Sequence, residues 1–264
     1  MKISIIGTGN LGISIAKGLL ANDMFTTLYL TKKNITTLNE WQNIPNVTVS
    51  NDNIKAVKNS DFIIISVQPS QFEMIANEIK SSISNKHTII STISGLSINS
   101  IESLIGKEIS IVRSMPNTAI SVGKSVTCLC CNHFGKKQLK VAQAIFNNLG
   151  ESFLIEEKDM QSATVLCASG IAFWMRLIRA TAQGGVQLGF ESNQALEMSV
   201  HTALGAISLL KTNKSHPEEE IDKVTTPNGC TITGLIEMEN QGLSSALISG
   251  LVASYQKINK ISKK

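Results

Sequence analysis

The chain opens on a short β-branched run, KISII, that breaks at a cluster of glycines and resumes as ISIAKGLLA, where apolar residues return at helical spacing. Strand, turn and helix then recur in alternation. TTLYL, NVTV, DFIIISV, HTIISTI and EISIVRS each read as a short apolar strand, and the alternation within SVTCLCC fits one more. Such an order predicts a parallel, doubly wound sheet.

After about Glu156 the alternation stops and only helical periodicity remains. Residues 159–190 predict one apolar helix of about 30 residues, ~45 Å long at the usual rise; residues 192–212 and 243–258 predict two more. Between the last two, DKVTTPNGCTITGLIEME leaves a polar helix, crosses a loop of threonines, proline, asparagine and glycine, and starts another helix at about Thr231. The expected organisation is an α/β chain, with a Rossmann-like doubly wound sheet over residues 1–155 and an all-helical domain over residues 156–264. The long helix is not expected to span a membrane, because Arg176 and Arg179 interrupt it and its apolar stretch is short. Its apolar surface, Phe173 and Trp174 included, exceeds what a small helical domain covers by itself, which predicts a homodimer built on interleaved helices. There is no internal repeat.

Composition narrows the partners. At 264 residues, 42% hydrophobic and 17% charged, the chain has room for two modest globular domains. The net charge of +4 sits largely in the closing QKINKISKK, and no aromatic-interleaved basic stretch suits nucleic acid. The first dozen residues lack the pattern of a signal peptide or membrane span, and five cysteines, three of them bunched in TCLCCNH, do not read as a disulfide framework. A cytoplasmic protein is expected. Cys128, Cys130, Cys131 and His133 have no second ligand pair at a spacing that would complete a zinc site, so no metal is expected.

The glycine cluster is Gly7, Thr8, Gly9, Asn10, Leu11 and Gly12. Gly7 permits the tight turn, Gly9 lets a pyrophosphate reach bare backbone, Gly12 lets helix and strand pack closely, and the helix N-terminus faces the phosphates. About twenty residues further on, where an NAD-selective fold offers a carboxylate to the ribose, stand Thr31, Lys32, Lys33 and Asn34. Two ammonium groups and a hydroxyl attract a 2′-phosphate, so NADPH is the expected cofactor, with NADH possible.

IIGTGNLG, VRSMPNTA, SGIAF, SHPEEEIDKVTTPNGCTITGLIEME and GLSSALISGLVASY occur in the order and spacing of the pyrroline-5-carboxylate reductases, and the resemblance covers essentially the whole chain. It implies NADPH-dependent reduction of a cyclic imine to proline by a homodimer or a ring of dimers, the helical region forming the substrate site beside a nicotinamide held by the first domain. It places Asn117 and Thr118 at the nicotinamide, and Asn53, Val67, Gln68 and Pro69 along the cofactor cleft. It also makes TPNGCT the counterpart of the family's Pro-Gly-Gly-x-Thr loop, with Asn228 where the family has glycine. Ile171 and Phe173 stand where it has proline and tyrosine, and Gln68 where it commonly has lysine. Asparagine tolerates the left-handed backbone such a turn requires.

The chemistry asks for placement more than for a strong acid. Reducing a C=N bond requires hydride at carbon and a proton at nitrogen. Backbone N–H groups of Gly229, Cys230 and Thr231, opening a helix, suit the substrate carboxylate. Thr226 assists them, and the Thr231 hydroxyl reaches the ring nitrogen. The bland alternative for both threonines is N-capping. A β-hydroxyacid dehydrogenase would need a lysine on the long helix, and none lies between Asp159 and Phe190. A non-enzymatic NADP-binding protein would have no use for Thr226, Pro227, Gly229 and Thr231 together.

Overall fold

The computed structural model describes residues 1–261. These form two compact units, one of residues 1–169 with the chain from Ser254 onward, the other of residues 170–253. The change of pattern that suggested a boundary at 155/156 therefore precedes the structural division, which falls inside the long helical run.

The first unit is built from β1 (Lys2–Ile6), α1 (Asn10–Ala21), β2 (Thr27–Thr31), β3 (Val47–Ser50), α2 (Asn53–Lys58), β4 (Phe62–Ile65), α3 (Pro69–Ile79), β5 (Thr88–Ser91), α4 (Ile98–Ile105), β6 (Ser110–Met115), β7 (Ser125–Cys131), α5 (Leu139–Asn147) and β8 (Gly150–Leu154). The strands make one sheet in the order β3-β2-β1-β4-β5-β6-β7-β8. All neighbouring pairs are parallel except β6 and β7, which run antiparallel. The sequence reading of a parallel sheet is thus amended at one pair, and β8 was not foreseen.

Alternation along the strands sorts side chains between two cores. Ile3 and Ile5 of β1 and Ile64 of β4 join Ile15 and Leu19 of α1 on one face; Ile6, Ile63 and Ile65 join Phe72, Ile75 and Ile79 of α3 on the other. Burying each such side chain contributes about 1.5–3 kcal/mol. Because both faces are covered, the central strands read as continuous apolar runs. The same sorting explains the cysteines. Cys128 and Cys130 pack on one face of the sheet and Cys131 on the other, as strand residues do.

The chain then enters α6 (Met160–Ala163), a π-helical segment (Thr164–Ser169) and α7 (Gly170–Gln187). By length and composition the run Glu157–Gln187 is apolar enough to cross a membrane, so the expectation that it is too short does not hold. Its opening turns are instead built into the first unit. Met160 is fully buried in the core with Cys128 and Cys130, and the buried Arg113 donates from Nη1 to Glu157 Oε1 at 2.8 Å.

The second unit comprises α7, α8 (Ser192–Asn213), α9 (Pro217–Val224), α10 (Cys230–Asn240) and the first part of α11 (Leu243–Ile261). It buries little by itself: within α9 and α10 no residue is buried, and Trp174, Leu204, Ile236 and Ile248 are each more than half exposed. So much exposed apolar surface marks an association face.

Candidate active site

In the first unit the strand order reverses between β1 and β4, where ligands of open α/β sheets bind, outside the carboxyl ends of the strands. The glycine turn lies there. Gly7 has φ +90°, and a Cβ on it would stand 2.4 Å from Val67 Cγ1 and 2.6 Å from the Ser66 carbonyl, so only glycine fits. Gly12 is equally constrained, at 2.6 Å from the Gly7 carbonyl oxygen. Beside Gly9 there is open space, as a ligand approaching bare backbone requires. Gly9 gives α1 no side-chain cap and the first turn carries no acid. The amides of Asn10, Leu11 and Gly12 are thus first-turn donors without intrahelical acceptors, and they suit a pyrophosphate.

Thr8 has a different part from its neighbours. It is fully buried, and its N–H (3.1 Å) and hydroxyl (3.0 Å) both donate to the Thr31 carbonyl, as does Gly7 N–H at 3.1 Å. Three donors on one oxygen lock the turn to the end of β2. Thr31 itself is buried, and its hydroxyl donates to Asn53 Oδ1 at 2.6 Å. It holds Asn53 and is not free to meet a 2′-phosphate, which amends the expectation from the sequence. Lys32 is half-buried, with Nζ 2.9 Å from the Thr37 hydroxyl, whereas Lys33 is exposed. Asn34 caps the 3-10 turn Ile35–Trp41 by accepting from Thr36 N–H.

Beyond β4, Pro69 opens α3 at its first position, where a fixed φ and a missing N–H cost nothing, and Gln68 N–H donates to Gln71 Oε1 at 3.1 Å. Asn117 is almost fully buried and fully used: its N–H donates to Ser125 Oγ (3.1 Å), Nδ2 donates to the Cys167 carbonyl (3.1 Å), and Oδ1 accepts from Ala119 N–H (3.0 Å). Thr118 beside it is exposed. The π segment supplies that carbonyl, since a π turn disturbs the regular ladder of helix bonds.

In the second unit the loop between α9 and α10 is a type II turn, with Thr226 and Gly229 as its ends. Gly229 N–H donates to the Thr226 carbonyl at 2.9 Å, Pro227 occupies the second position, and Asn228 has φ 59° in the third. Gly229 is needed for space: a Cβ there would lie 2.5 Å from Thr226 Oγ1 and 2.9 Å from the Thr226 carbonyl oxygen. Because its amide closes the turn, Gly229 does not offer the free N–H expected of it. Among the described residues the amides without a partner are the next ones, Cys230 and Thr231, at the start of a helix with no side-chain cap.

The four threonines of the loop and the first turn of α10 divide into two pairs. Thr225 and Thr233 donate their hydroxyls to the backbone carbonyls of Asp222 (3.1 Å) and Gly229 (3.0 Å). Among the described residues the hydroxyls of Thr226 and Thr231 have no partner, so neither is a cap. Behind the loop, Glu220 Oε1 accepts from Ser215 Oγ (2.5 Å), Lys223 Nζ (2.8 Å) and Asn213 Nδ2 (3.1 Å), which holds its carboxyl well below the usual range, at about 2.

A glycine turn at the switch point of a doubly wound sheet, next to basic residues and followed by a helical unit, defines a dinucleotide-dependent oxidoreductase. The description "Pyrroline-5-carboxylate reductase dimerisation" matches residues 157–261 and "NADP oxidoreductase coenzyme F420-dependent" matches residues 2–95. The chain belongs to the pyrroline-5-carboxylate reductase family. Pyrroline-5-carboxylate reductase 1 of Dictyostelium discoideum is 44% identical over 97% of this chain, which spans about half that relative's length (49%). Pyrroline-5-carboxylate reductase 2 of the same organism is 38% identical over 98% of this chain and 92% of the relative. Among solved structures, pyrroline carboxylate reductase of Plasmodium falciparum with NADP bound shares the fold at a TM-score of 0.91 and 24% identity, covering 99% of this chain and 98% of that one.

Proposed function

We propose that this chain reduces 1-pyrroline-5-carboxylate to proline, with NADPH bound by the first unit and the imine acid by the Thr226–Thr231 loop of the second. NADPH, when bound, supplies the hydride. The first-turn amides of α1, the open space at Gly9 and Lys33 fit its phosphates; Asn53, Val67, Gln68, Pro69, Asn117 and Thr118 border the rest. The amides of Cys230 and Thr231, with the helix dipole behind them, hold the substrate carboxylate, and the Thr226 hydroxyl donates to it. The protonated ring nitrogen donates to Thr231 Oγ1, which fixes the C=N face open to attack and keeps the amine in place as the double bond is lost.

The observation that carries this reading is the pair of hydroxyls, Thr226 and Thr231, that have no partner among the described residues, in a loop and helix start whose other two threonines are satisfied by backbone. The test is direct. Purified protein with 1-pyrroline-5-carboxylate and NADPH is followed by absorbance and by proline formation, one proline per NADPH being expected. NADPH binding without consumption of this imine or its six-membered analogue would overturn the reading in favour of a binding protein. The exposed apolar helices belong to a homodimer or a ring of dimers, so light scattering at micromolar concentration should give at least twice the 28.5 kDa chain mass.

A further inference from the structure

Cys128 and Cys167 meet in the first unit, with their sulfurs 3.9 Å apart and Cys128 as donor. Cys128 lies in β7 and is 4% exposed; Cys167 lies in the π segment and is half-buried. Both segments also bind Asn117, whose N–H is held by Ser125 at the start of β7 and whose Nδ2 is held by the Cys167 carbonyl. The two elements that carry the thiols are therefore the two that position Asn117. The mechanism of imine reduction uses neither thiol.

We propose that Cys128 and Cys167 form an oxidative modification site: a hydroperoxide converts the pair to a disulfide, and the bridge displaces Asn117 by pulling the π segment toward β7. A disulfide holds its sulfurs at ~2 Å, so closure requires a movement of roughly 2 Å. The π turn is where the helix gives most readily, because its hydrogen-bond ladder is already irregular.

The roles of the two thiols differ. Donation from Cys128 favours the thiolate of Cys167 and pushes its pKa down, while that same donation, and then burial, push Cys128 up. The thiolate is the nucleophile. Cys167 sulfur attacks the terminal oxygen of the hydroperoxide, the O–O bond breaks, and the alcohol leaves with a proton, giving a sulfenic acid. Cys128 sulfur then attacks Cys167 sulfur, the S–S bond forms, the S–O bond breaks, and hydroxide leaves as water with the Cys128 proton. Two thiols lose two electrons and the hydroperoxide becomes alcohol and water.

The test uses the whole protein, reduced, freed of reductant and treated with hydrogen peroxide. The expected result is loss of two of the five free thiols, and peptide fragmentation that places one bridge between Cys128 and Cys167, reversed by dithiothreitol. Imine reduction should fall about tenfold and return with the thiols, since misplacing a positioning group by about 1 Å costs up to about a hundredfold. Bridge formation should accelerate as pH rises through the lowered Cys167 value. Cys128→Ala should form no bridge and Cys131→Ala should form it normally. A bridge on Cys130 or Cys131, or oxidation confined to Cys230, overturns the site; the mapped bridge with unchanged turnover overturns its action on Asn117. Thiol counting and peptide mapping read the site whether or not the imine is reduced, so this proposal and the assignment of substrate fail separately.

Discussion

The Thr31 hydroxyl lies 2.6 Å from Asn53 Oδ1 and donates to it, and the amide it fixes then donates from Nδ2 to Glu78 Oε2 at 3.0 Å. A buried residue at the end of β2 thus sets which way Asn53 faces at the start of α2. Glu78, from the last turn of α3, holds the other end.

Breaking either link should show in cofactor affinity and leave the chemical step alone. Thr31→Val removes the donor and leaves the backbone carbonyl that anchors the glycine turn, and losing one partly buried hydrogen bond so that its acceptor is left unpaired costs about 1–3 kcal/mol. We expect KM for NADPH to rise about five- to a hundredfold, as that energy dictates, with kcat within a factor of about two, a change worth less than 0.5 kcal/mol. Glu78→Gln should act in the same direction and more weakly, because the side chain is exposed. Unchanged KM values in both would make Asn53 a part of α2 only.

Cofactor selectivity should divide unequally between the lysines. Lys32 already meets the Thr37 hydroxyl, while Lys33 stands exposed at the next position. An exposed charge pair is worth about 1 kcal/mol or less, so Lys33→Ala should reduce the NADPH preference by up to about fivefold, and Lys32→Ala by less. Added salt should shrink the wild-type preference in the same sense. The measurement is KM for NADPH and NADH at low and high salt; equal losses from both lysines would contradict the assignment of Lys33.

Thr231→Val should lower turnover about ten- to a hundredfold, the worth of one hydrogen bond of about 1.5–3 kcal/mol to a charged group, without weakening NADPH binding. Thr233→Val is the matched control, since its hydroxyl goes to the Gly229 carbonyl. Its expected effect is on helix stability. Comparable kinetic losses in both variants would reduce Thr231 to a structural role.

How much of this was legible in advance depended on whether the information was local. The turn at Gly7 and the left-handed backbone at Asn228 are demands of a few consecutive residues, and both were readable. The strand GESFL was missed because β8 lies at the sheet edge and only half-buries alternate residues. The reversal of β7 did leave a signal: fewer than a dozen residues connect Met115 to Ser125, too few for a parallel crossover. Others left none. The π turn differs from an α turn by one residue of slack, and the Asn53–Glu78 and Cys128–Cys167 meetings depend on how separate elements pack.

Asn228 and Gly229 should respond oppositely to small changes. Asn228 sits at φ 59°, which glycine adopts freely, so Asn228→Gly should retain activity; Asn228→Val forces a β-branched residue into that region at about 1–3 kcal/mol. Gly229→Ala meets Thr226 Oγ1 at 2.5 Å, and its carbonyl oxygen at 2.9 Å, which is backbone, so the Thr226 side chain must turn away or the turn must shift. It should displace the threonine that holds the substrate carboxylate. KM for the imine should rise in Gly229→Ala with NADPH affinity intact, and an unaltered KM would mean the loop does not bind the acid.

Glu220 gives the loop a pH dependence whose sign follows from its partners. Its carboxyl is held at about 2, below the ordinary 4.5, chiefly by the hydrogen bond from Lys223, then by those from Ser215 and Asn213. A carboxyl lowered in the folded state stabilises it fully above the unfolded value, and this contribution disappears as pH falls from about 4.5 toward 2. The side chain is only 13% exposed, so the contacts are held in place, although the lysine partner is largely in solvent and salt weakens its share. Glu220→Gln should therefore lower the melting temperature of the helical unit at pH 7, and the gap from wild type should close progressively on acidification through that window. Melting curves at neutral and acid pH for both proteins, followed by a helix-sensitive signal, decide it: a gap that is constant with pH would assign the loss to altered packing and not to the ionised carboxylate.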